Sequence, residues 1–294
     1  MSATVTFEGT ATRGIALIIA ATMVFSVQDV LTKQLVQTHA AQQVLWVRYL
    51  FFAAFALMIS ARKRPLRVAF RSARPLFQII RSLLIATTMG LFALAVRVLP
   101  LADAHALVAS APLMVTVLSA VVLAERVGIR RWSAVCIGFI GVLLILRPGL
   151  TVLQPASLLV ICGAFLYAVY SIMTRIVSRD DDSETSLLYM AVVGAVALTA
   201  VGPFFWTTPN GETVAMMAGL GFAGTIGHLL LIKALEAVPA SVLQPFNYLM
   251  LVWAMVSGYI VFGNFPDLWT ITGAAVIVAS GLYIIYRERS QVPR

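Results

Sequence analysis

Ten apolar stretches of about 20 residues, parted by short breaks, constrain this chain more than any other feature of its sequence. A helix rises about 1.5 Å per residue, so about 20 apolar residues cross a hydrocarbon core roughly 30 Å thick. The stretches lie near 14–36, 42–60, 76–98, 102–123, 131–147, 155–177, 185–205, 213–235, 240–262 and 267–286. They are continuous, without the alternation of a barrel strand, and in lipid only helices and closed barrels satisfy the backbone. Composition agrees: 61% of residues are hydrophobic and 11% charged, where a soluble domain carries about a quarter charged residues. No break is long enough for a soluble domain. The first stretch follows "MSATVTFEGTATRG" and passes straight into "QDVLTKQLV", so it reads as a retained span, not a cleaved leader. The expectation is an all-α integral membrane protein of ten transmembrane helices.

Charge sets the expected orientation. Net charge is +9, from 21 Lys+Arg against 12 Asp+Glu. The break after span 2 holds Arg62, Lys63, Arg64, Arg67, Arg71 and Arg74; that after span 4 holds Arg126, Arg130 and Arg131; the tail holds Arg287, Arg289 and Arg294. With ten spans these three segments share the side of the N-terminus, and the opposite breaks carry isolated bases such as Lys33, Arg97 and Arg147. The positive-inside rule then places both termini in the cytoplasm of a bacterial-type inner membrane. No basic stripe interleaved with stacking aromatics points to nucleic acid. Cys136 and Cys162 fall inside apolar runs, with neither a disulfide framework nor metal-ligand spacing.

The chain also repeats itself. "ALAVRVLPLADAHA" near 93–106 aligns with "IKALEAVPASVLQP" near 232–245, and "FSVQDVLTK" (25–33) aligns with "YAVYSIMTR" (167–175). The alignment divides the chain into a five-span unit at 14–147 and a second at 153–287, flanked by cytoplasmic segments 1–13 and 288–294. An odd number of spans per unit forces opposite orientations in the bilayer. Inverted repeats of this kind recur in secondary transporters, with the site near midplane at their interface.

The run "ALAVRVLPLADAHALVASAPLMVTVLSAVVLAERVGIRRWSAVCIGFIGVLLILRPG" and the second-half "QPFNYLMLVWAMVSGYIVFGNFPDLWTITGAAVIVASGLYIIYR" resemble the repeats of EamA-type members of the drug/metabolite transporter superfamily. "LAER" at 123–126 is typical of that family; its second-half counterpart "FGNFPD" has Asn264 where the family usually carries Glu. The resemblance implies ten helices, two inverted five-helix repeats and metabolite transport, often export. The superfamily includes exporters of amino acids, aromatic ones among them, importers of S-adenosylmethionine, and riboflavin exporters or importers.

Polar groups inside lipid must face protein or water, so polar stripes mark inward faces. In span 4, His105, Ala109, Pro112, Thr116 and Ser119 follow at steps of 4, 3, 4 and 3 and share one helical face. His105 reads either as a structural imidazole or as a cavity ligand, and Pro112 as a bend opening carbonyls or as a tolerated kink. Asp103 lies about 200° round the helix from His105, which argues against a dyad; after Pro100 it is placed to cap free N–H groups. Spans 1 and 6 carry matching stripes, Phe25, Gln28 and Thr32, and Tyr167, Tyr170 and Thr174. The tyrosines suit an aromatic lining or an interface belt. Asp29 and Lys33, four apart, are expected to pair along their helix. In span 9, Gln244 and Asn247 flank Pro245 as amides for a polar ligand or for helix contacts. In span 8, Gly221, Gly224 and Gly227 precede His228, whose imidazole could couple protons. Thr88, Ser171 and Tyr248 complete the candidate cavity residues. Spans 5 and 10 read as scaffold helices packing through small faces.

No catalytic constellation converges, so no enzyme is expected. Asp180, Asp181, Asp182 and Glu184 lack a facing acidic cluster and read as a solvated loop, not a metal site. The expected function is a carrier that moves small metabolites by alternating access, without a cofactor. Export of amino acids, aromatic or neutral ones included, is the first reading; S-adenosylmethionine, riboflavin or a drug-like compound, moved in either direction, is the alternative. The expected partners are membrane lipids and the metabolite itself.

Overall fold

The computed structural model describes residues 2–122, 128–146, 155–237 and 243–290, and these are helical, without strands. The helices are α1 (Ser2–Thr38), α2 (Ala41–Lys63), the single turn α3 (Leu66–Ala69), α4 (Pro75–Val96), α5 (Leu101–Val108) and α6 (Ala111–Val122). They continue with α7 (Ile129–Leu146), α8 (Pro155–Val177), α9 (Ser183–Thr199) and α10 (Gly211–Ala237). A 3-10 segment, Gln244–Tyr248, leads into α11 (Leu249–Phe262), and α12 (Leu268–Ser290) follows. Six spans are long and apolar enough to cross a membrane: Thr12–Thr38, Ala41–Lys63, Pro75–Val96, Leu101–Val122, Pro155–Val177 and Gly211–Leu235. Shorter apolar helices run Trp132–Leu146, Ser183–Thr199, Phe246–Phe262 and Leu268–Tyr283. The "LAER" at 123–126 lies outside the described residues.

Large apolar side chains such as Val121, Phe222, Ile260 and Leu268 are exposed, whereas many buried positions hold Ala, Ser or Thr. That inversion suits a bundle whose outer solvent is hydrocarbon, where helices associate by close packing of small residues. The principal pairings are α1 with α10, α4 with α8, α2 with α9 and α7 with α12. The last is the expected scaffold: a Cβ at Gly141 would stand 2.7 Å from the Gly273 carbonyl oxygen, and one at Gly273 2.6 Å from that of Gly141. Gly263, at φ +67°, ends α11 in the left-handed conformation that favours glycine.

Several local expectations meet the structure in detail. Span 4 is interrupted once: α5 ends at Val108, Ala109 and Ser110 form a turn, and Pro112 stands in the first turn of α6. Pro112 has no N–H to continue the helical ladder, and the interruption falls just before it, within the span Leu101–Val122. Asp103 is no N-cap; that position is Pro100, and Asp103 sits in the first turn of α5 within coulombic reach of Lys33. Asp29 and Lys33 do not pair. Lys33 Nζ donates to the carbonyls of Val96 (3.0 Å) and Leu99 (2.5 Å), closing the C-terminal end of α4, where a cation offsets the helix dipole.

The acidic run is partly exposed, as a solvated loop would be, and it is also paired. It clamps the basic 62–74 segment. Arg64 grips Asp182 through both Nη atoms (2.7 and 3.0 Å), Arg74 Nε meets Asp180 at 2.8 Å, and Lys63 pairs with Glu184. Asp181 accepts from Ser72 Oγ, from the Ala73 N–H (2.8 Å) and from Gln78 Nε2 (2.8 Å). Asp182 also caps α9 by accepting from the Thr185 N–H at 2.6 Å. The Arg64 bonds pull the Asp182 carboxyl down to about 2. Burial works against Asp181, yet its bonds from Ser72, Ala73 and Gln78 hold it below the usual carboxylate range.

Candidate functional site

A small cavity lies among α2, α4, α9 and α10, lined by Arg48, Tyr49, Phe52, Met89, Met190, Gly221, Gly224, Thr225 and His228. Arg48, Tyr49 and Phe52 fall at i, i+1 and i+4 on α2, one face of that helix. Gly221 and Gly224 are flat positions on α10 that admit Phe51 and the Gln28 amide close to its backbone. The cavity holds about 10 Å³, roughly one water.

Arg48 supplies the cationic group. Its Nη2 and Nη1 donate to the Gln28 amide oxygen at 2.9 and 3.2 Å, in the amide orientation that satisfies both groups. Asp29 lies within its coulombic reach. Among the described residues, no carboxylate stands within 4.0 Å of the guanidinium. A cation in such surroundings is held by neutral dipoles and a second-rank countercharge, and a ligand anion is the group that would complete it.

An aromatic wall adjoins the cation. His228 Nδ1–H donates to the Gly224 carbonyl at 2.8 Å. The imidazole meets the Phe52 ring at 4.7 Å between centroids and the Phe25 ring edge-on at 5.2 Å. Tyr49 Oη donates to Met89 Sδ at 3.4 Å. Aromatic rings and polarizable thioethers beside one cation suit a flat, amphipathic ligand with a negative group.

The sequence-derived candidates divide. His228 lines the cavity, Gln28 orients Arg48, and Phe25 packs on His228. Thr32 turns back onto the Gln28 carbonyl of its own helix (2.8 Å). Thr88 donates to the Leu84 and Gly163 carbonyls where α4 crosses α8. His105 Nε2 meets Asp29 Oδ2 at 2.9 Å, outside the cavity lining. Tyr167 and Ser171 are exposed or bonded along α8, and Pro112 starts α6. Tyr170 packs under the Arg81 guanidinium (5.5 Å). Tyr248 presses its hydroxyl against Gly281 of α12. Asn247 is an exposed residue of the 3-10 segment, and the Gln244 side chain lies outside the described residues.

Two arginines inside the spans belong to no polar stripe. Arg48 stands alone as a charge seven residues into α2, and Arg81 lies six residues into α4. Their signal was plain charge inside an apolar span, not periodicity. Arg81 is 2% exposed. It donates from Nε to Gln78 (2.7 Å), from Nη1 to Thr174 (3.1 Å) and from Nη2 to the Ser186 carbonyl (2.5 Å). It therefore pins α4, α8 and α9 together beneath the acidic clamp. At the other end, Gln43 exchanges bonds with Thr207 (2.8 and 3.1 Å), and Trp46 Nε1 donates to Thr199 (2.9 Å). The cavity thus lies between two belts of inter-helix contacts.

A helical bundle with an apolar exterior and a cation beside an internal cavity is built as a membrane protein. The chain belongs to the EamA-like transporter family, whose model matches residues 12–147 and again 154–287. It is 29% identical to an S-adenosylmethionine uptake transporter of Rickettsia felis over 269 residues, 92% of this chain and 91% of that one. It is 34% identical to a riboflavin transporter of Vibrio cholerae over 209 residues, 70% and 69% of the two chains, and 28% identical to a riboflavin transporter of Rhizobium johnstonii over 280 residues, 94% and 91%. A solved crystal structure superposes with a TM-score of 0.60 at 16% identity, covering 97% of this chain and 99% of that one; that likeness concerns the fold. The family and its bacterial members make this a multi-pass protein of the inner membrane and a transporter of small metabolites.

Proposed function

We propose that the protein is a ten-span alternating-access carrier that takes up a metabolite of the S-adenosylmethionine kind, with Arg48 holding the ligand's carboxylate. The single observation behind the cargo is Arg48, a guanidinium beside Tyr49, Phe52 and His228 with no carboxylate in contact among the described residues. Relatives named for S-adenosylmethionine uptake that align over nearly the whole chain support the direction. They move the reading away from the amino-acid export expected first. Riboflavin is the second reading, favoured by relatives named for it; its flat ring suits the aromatic wall, but it offers Arg48 no carboxylate.

Inversion of two five-helix units, with both termini in the cytoplasm, is supported by where the breaks meet. The breaks after spans 2 and 6 touch through Arg64 and Asp182 at one end. Those after spans 1 and 7 lie by Gln43 and Thr207 at the other. In the internal alignment the break after span 6 matches that after span 1, so matching breaks occupy opposite ends, as inversion requires. With room for about one water, the cavity admits a metabolite when one of its contact belts parts. Purified protein in liposomes should take up labelled S-adenosylmethionine saturably, with competition by its carboxylate-bearing analogues. Saturable riboflavin uptake instead would select the second reading, and chemical turnover of either compound would defeat the carrier.

A further inference from the structure

Arg48 and Asp29 are opposite charges that packing keeps apart. Among the described residues, Arg48 has no carboxylate within 4.0 Å, and Asp29 has no Lys or Arg within 4.0 Å. The two nevertheless lie within coulombic reach of each other. Gln28, the residue before Asp29, takes the Arg48 donors: its amide oxygen accepts from Nη2 and Nη1 at 2.9 and 3.2 Å. The two charges also match in depth. Asp29 lies nine residues before the end of α1 and Arg48 seven after the start of α2, and those ends meet in the short break at 39–40. At 1.5 Å per residue both stand about 11–14 Å in from one end of the bundle.

Asp29 is held on one side only. His105 Nε2 of α5 lies 2.9 Å from Asp29 Oδ2, and the two side chains are 10% and 13% exposed. Oδ1 has no hydrogen-bond partner among the described residues. Lys33, one turn along α1, bonds to the Val96 and Leu99 carbonyls and has Asp103 as its coulombic partner, so it does not supply a cation to Asp29. Phe92 packs on His105 at 5.2 Å between centroids. It follows Met89 of the cavity wall by three residues on α4, about one helical turn. The Asp29–His105 pair therefore lies beside the next turn of that wall, and a ligand larger than one water reaches it as the cavity opens.

A separated ion pair inside a span is costly, because both charges lose water and neither gains the contact that offsets the loss. The group that fits such an open pair carries both charges itself. An α-amino-acid head presents a carboxylate and an ammonium on one carbon. Charge-assisted bonds at its two ends are about 2.7–2.9 Å long, so anchors for such a head stand farther apart than a direct ion pair, as these do. The charges then balance without a proton, guanidinium with carboxylate and Asp29 with ammonium. The remaining sulfonium of S-adenosylmethionine has no N–H or O–H to donate, and it suits the faces of rings such as Tyr49 and Phe52 of the cavity wall.

We infer that Asp29, with Oδ2 steadied by His105, binds the ammonium of the ligand, so that Arg48 and Asp29 together select compounds bearing an α-amino-acid head. The inference rests on Arg48 as the carboxylate anchor proposed above. It adds what that anchor alone does not give, discrimination against carboxylates that lack an amine.

The test removes one charge of the ligand at a time. Calorimetric binding to the purified protein compares S-adenosylmethionine with an analogue carrying a ketone in place of the amine and with its decarboxylated analogue. In the wild type each truncated compound should bind about 10- to 100-fold more weakly, the worth of one charge-assisted hydrogen bond. Asp29→Asn should weaken S-adenosylmethionine by the same factor and leave the deaminated compound unchanged, so that the preference between them disappears. Asp29→Glu serves if Asp29→Asn does not fold: moving the carboxylate by one methylene should change the affinity for S-adenosylmethionine and not that for the deaminated compound. Equal binding of those two compounds to the wild type, an undiminished preference in Asp29→Asn, or equal changes for both in Asp29→Glu overturns the inference. The decarboxylated compound tests the other anchor separately. If the wild type binds it as tightly as S-adenosylmethionine, Arg48 loses its assignment, and the deaminated compound still decides the ammonium site. Should S-adenosylmethionine not bind at all, the cargo reading fails, and phenylalanine against phenylpyruvate repeats the comparison. Equal binding of these two, or no binding of phenylalanine, overturns this inference as well.

Discussion

Arg48 is the residue on which the cargo rests. Replacing it with Gln removes charge-assisted bonds worth about 1.5–3 kcal/mol each. Arg48→Gln should therefore raise the KM for S-adenosylmethionine by about 10- to 100-fold. The maximal rate should change less, and the thermal midpoint in detergent should confirm folding. An unchanged KM would show that the guanidinium serves only to hold Gln28. Gln28, Phe25 and His228 were legible as polar or aromatic positions on inward faces, because a 3- and 4-residue spacing reports which side of a helix leaves lipid. Arg48 was not, because it is alone in its span and has no stripe; its meaning comes from Gln28 on another helix and from the absence, among the described residues, of a carboxylate in contact. Tyr167 shows the converse, since it is exposed although it shares a helical stripe with the half-buried Tyr170.

At the scale of elements, α5 and α6 show why a periodic stripe was no proof of a continuous helix. His105 and Thr116 keep helical spacing on paper, yet the turn at Ala109–Ser110 separates them. The acidic cap of α9 carries a pH signature. Asp182 is held at about 2 by Arg64 and by the Thr185 N–H, below its ordinary value of 3.8. Stability from a depressed carboxyl is present above the ordinary value and lost as pH falls through the folded one. Asp182→Asn should thus lower the thermal midpoint at pH 7, and the gap from wild type should close between about pH 4 and 2. Its size stays modest because the carboxylate is half exposed. A gap independent of pH would assign the effect to packing. Where α7 crosses α12, Gly141→Val should cost about 1–3 kcal/mol by overpacking, read as a lower midpoint in detergent without a change in KM.

At the scale of the whole molecule, inversion makes a prediction about sides. In a cysteine-free background, cysteines at Val68 and Asp180 should both react with a membrane-impermeant maleimide from the cytoplasmic face, and those at Thr38 and Asn210 from the opposite face. Labelling of Val68 and Asp180 from different faces would remove the inverted arrangement. The sequence by itself determined that the chain lives in lipid, that its spans are helical, and that its halves are related. Each of those follows from run length, hydropathy and local pattern, which are properties of neighbouring residues. Tertiary structure alone decided that Arg48 borders a cavity, that Asp29 chooses His105 over Lys33, and that the acidic run grips the basic segment. Those partners lie 76 residues apart for Asp29 and His105 and 118 for Arg64 and Asp182. A buried charge takes whichever partner packing brings within reach, and no spacing along the chain records that choice.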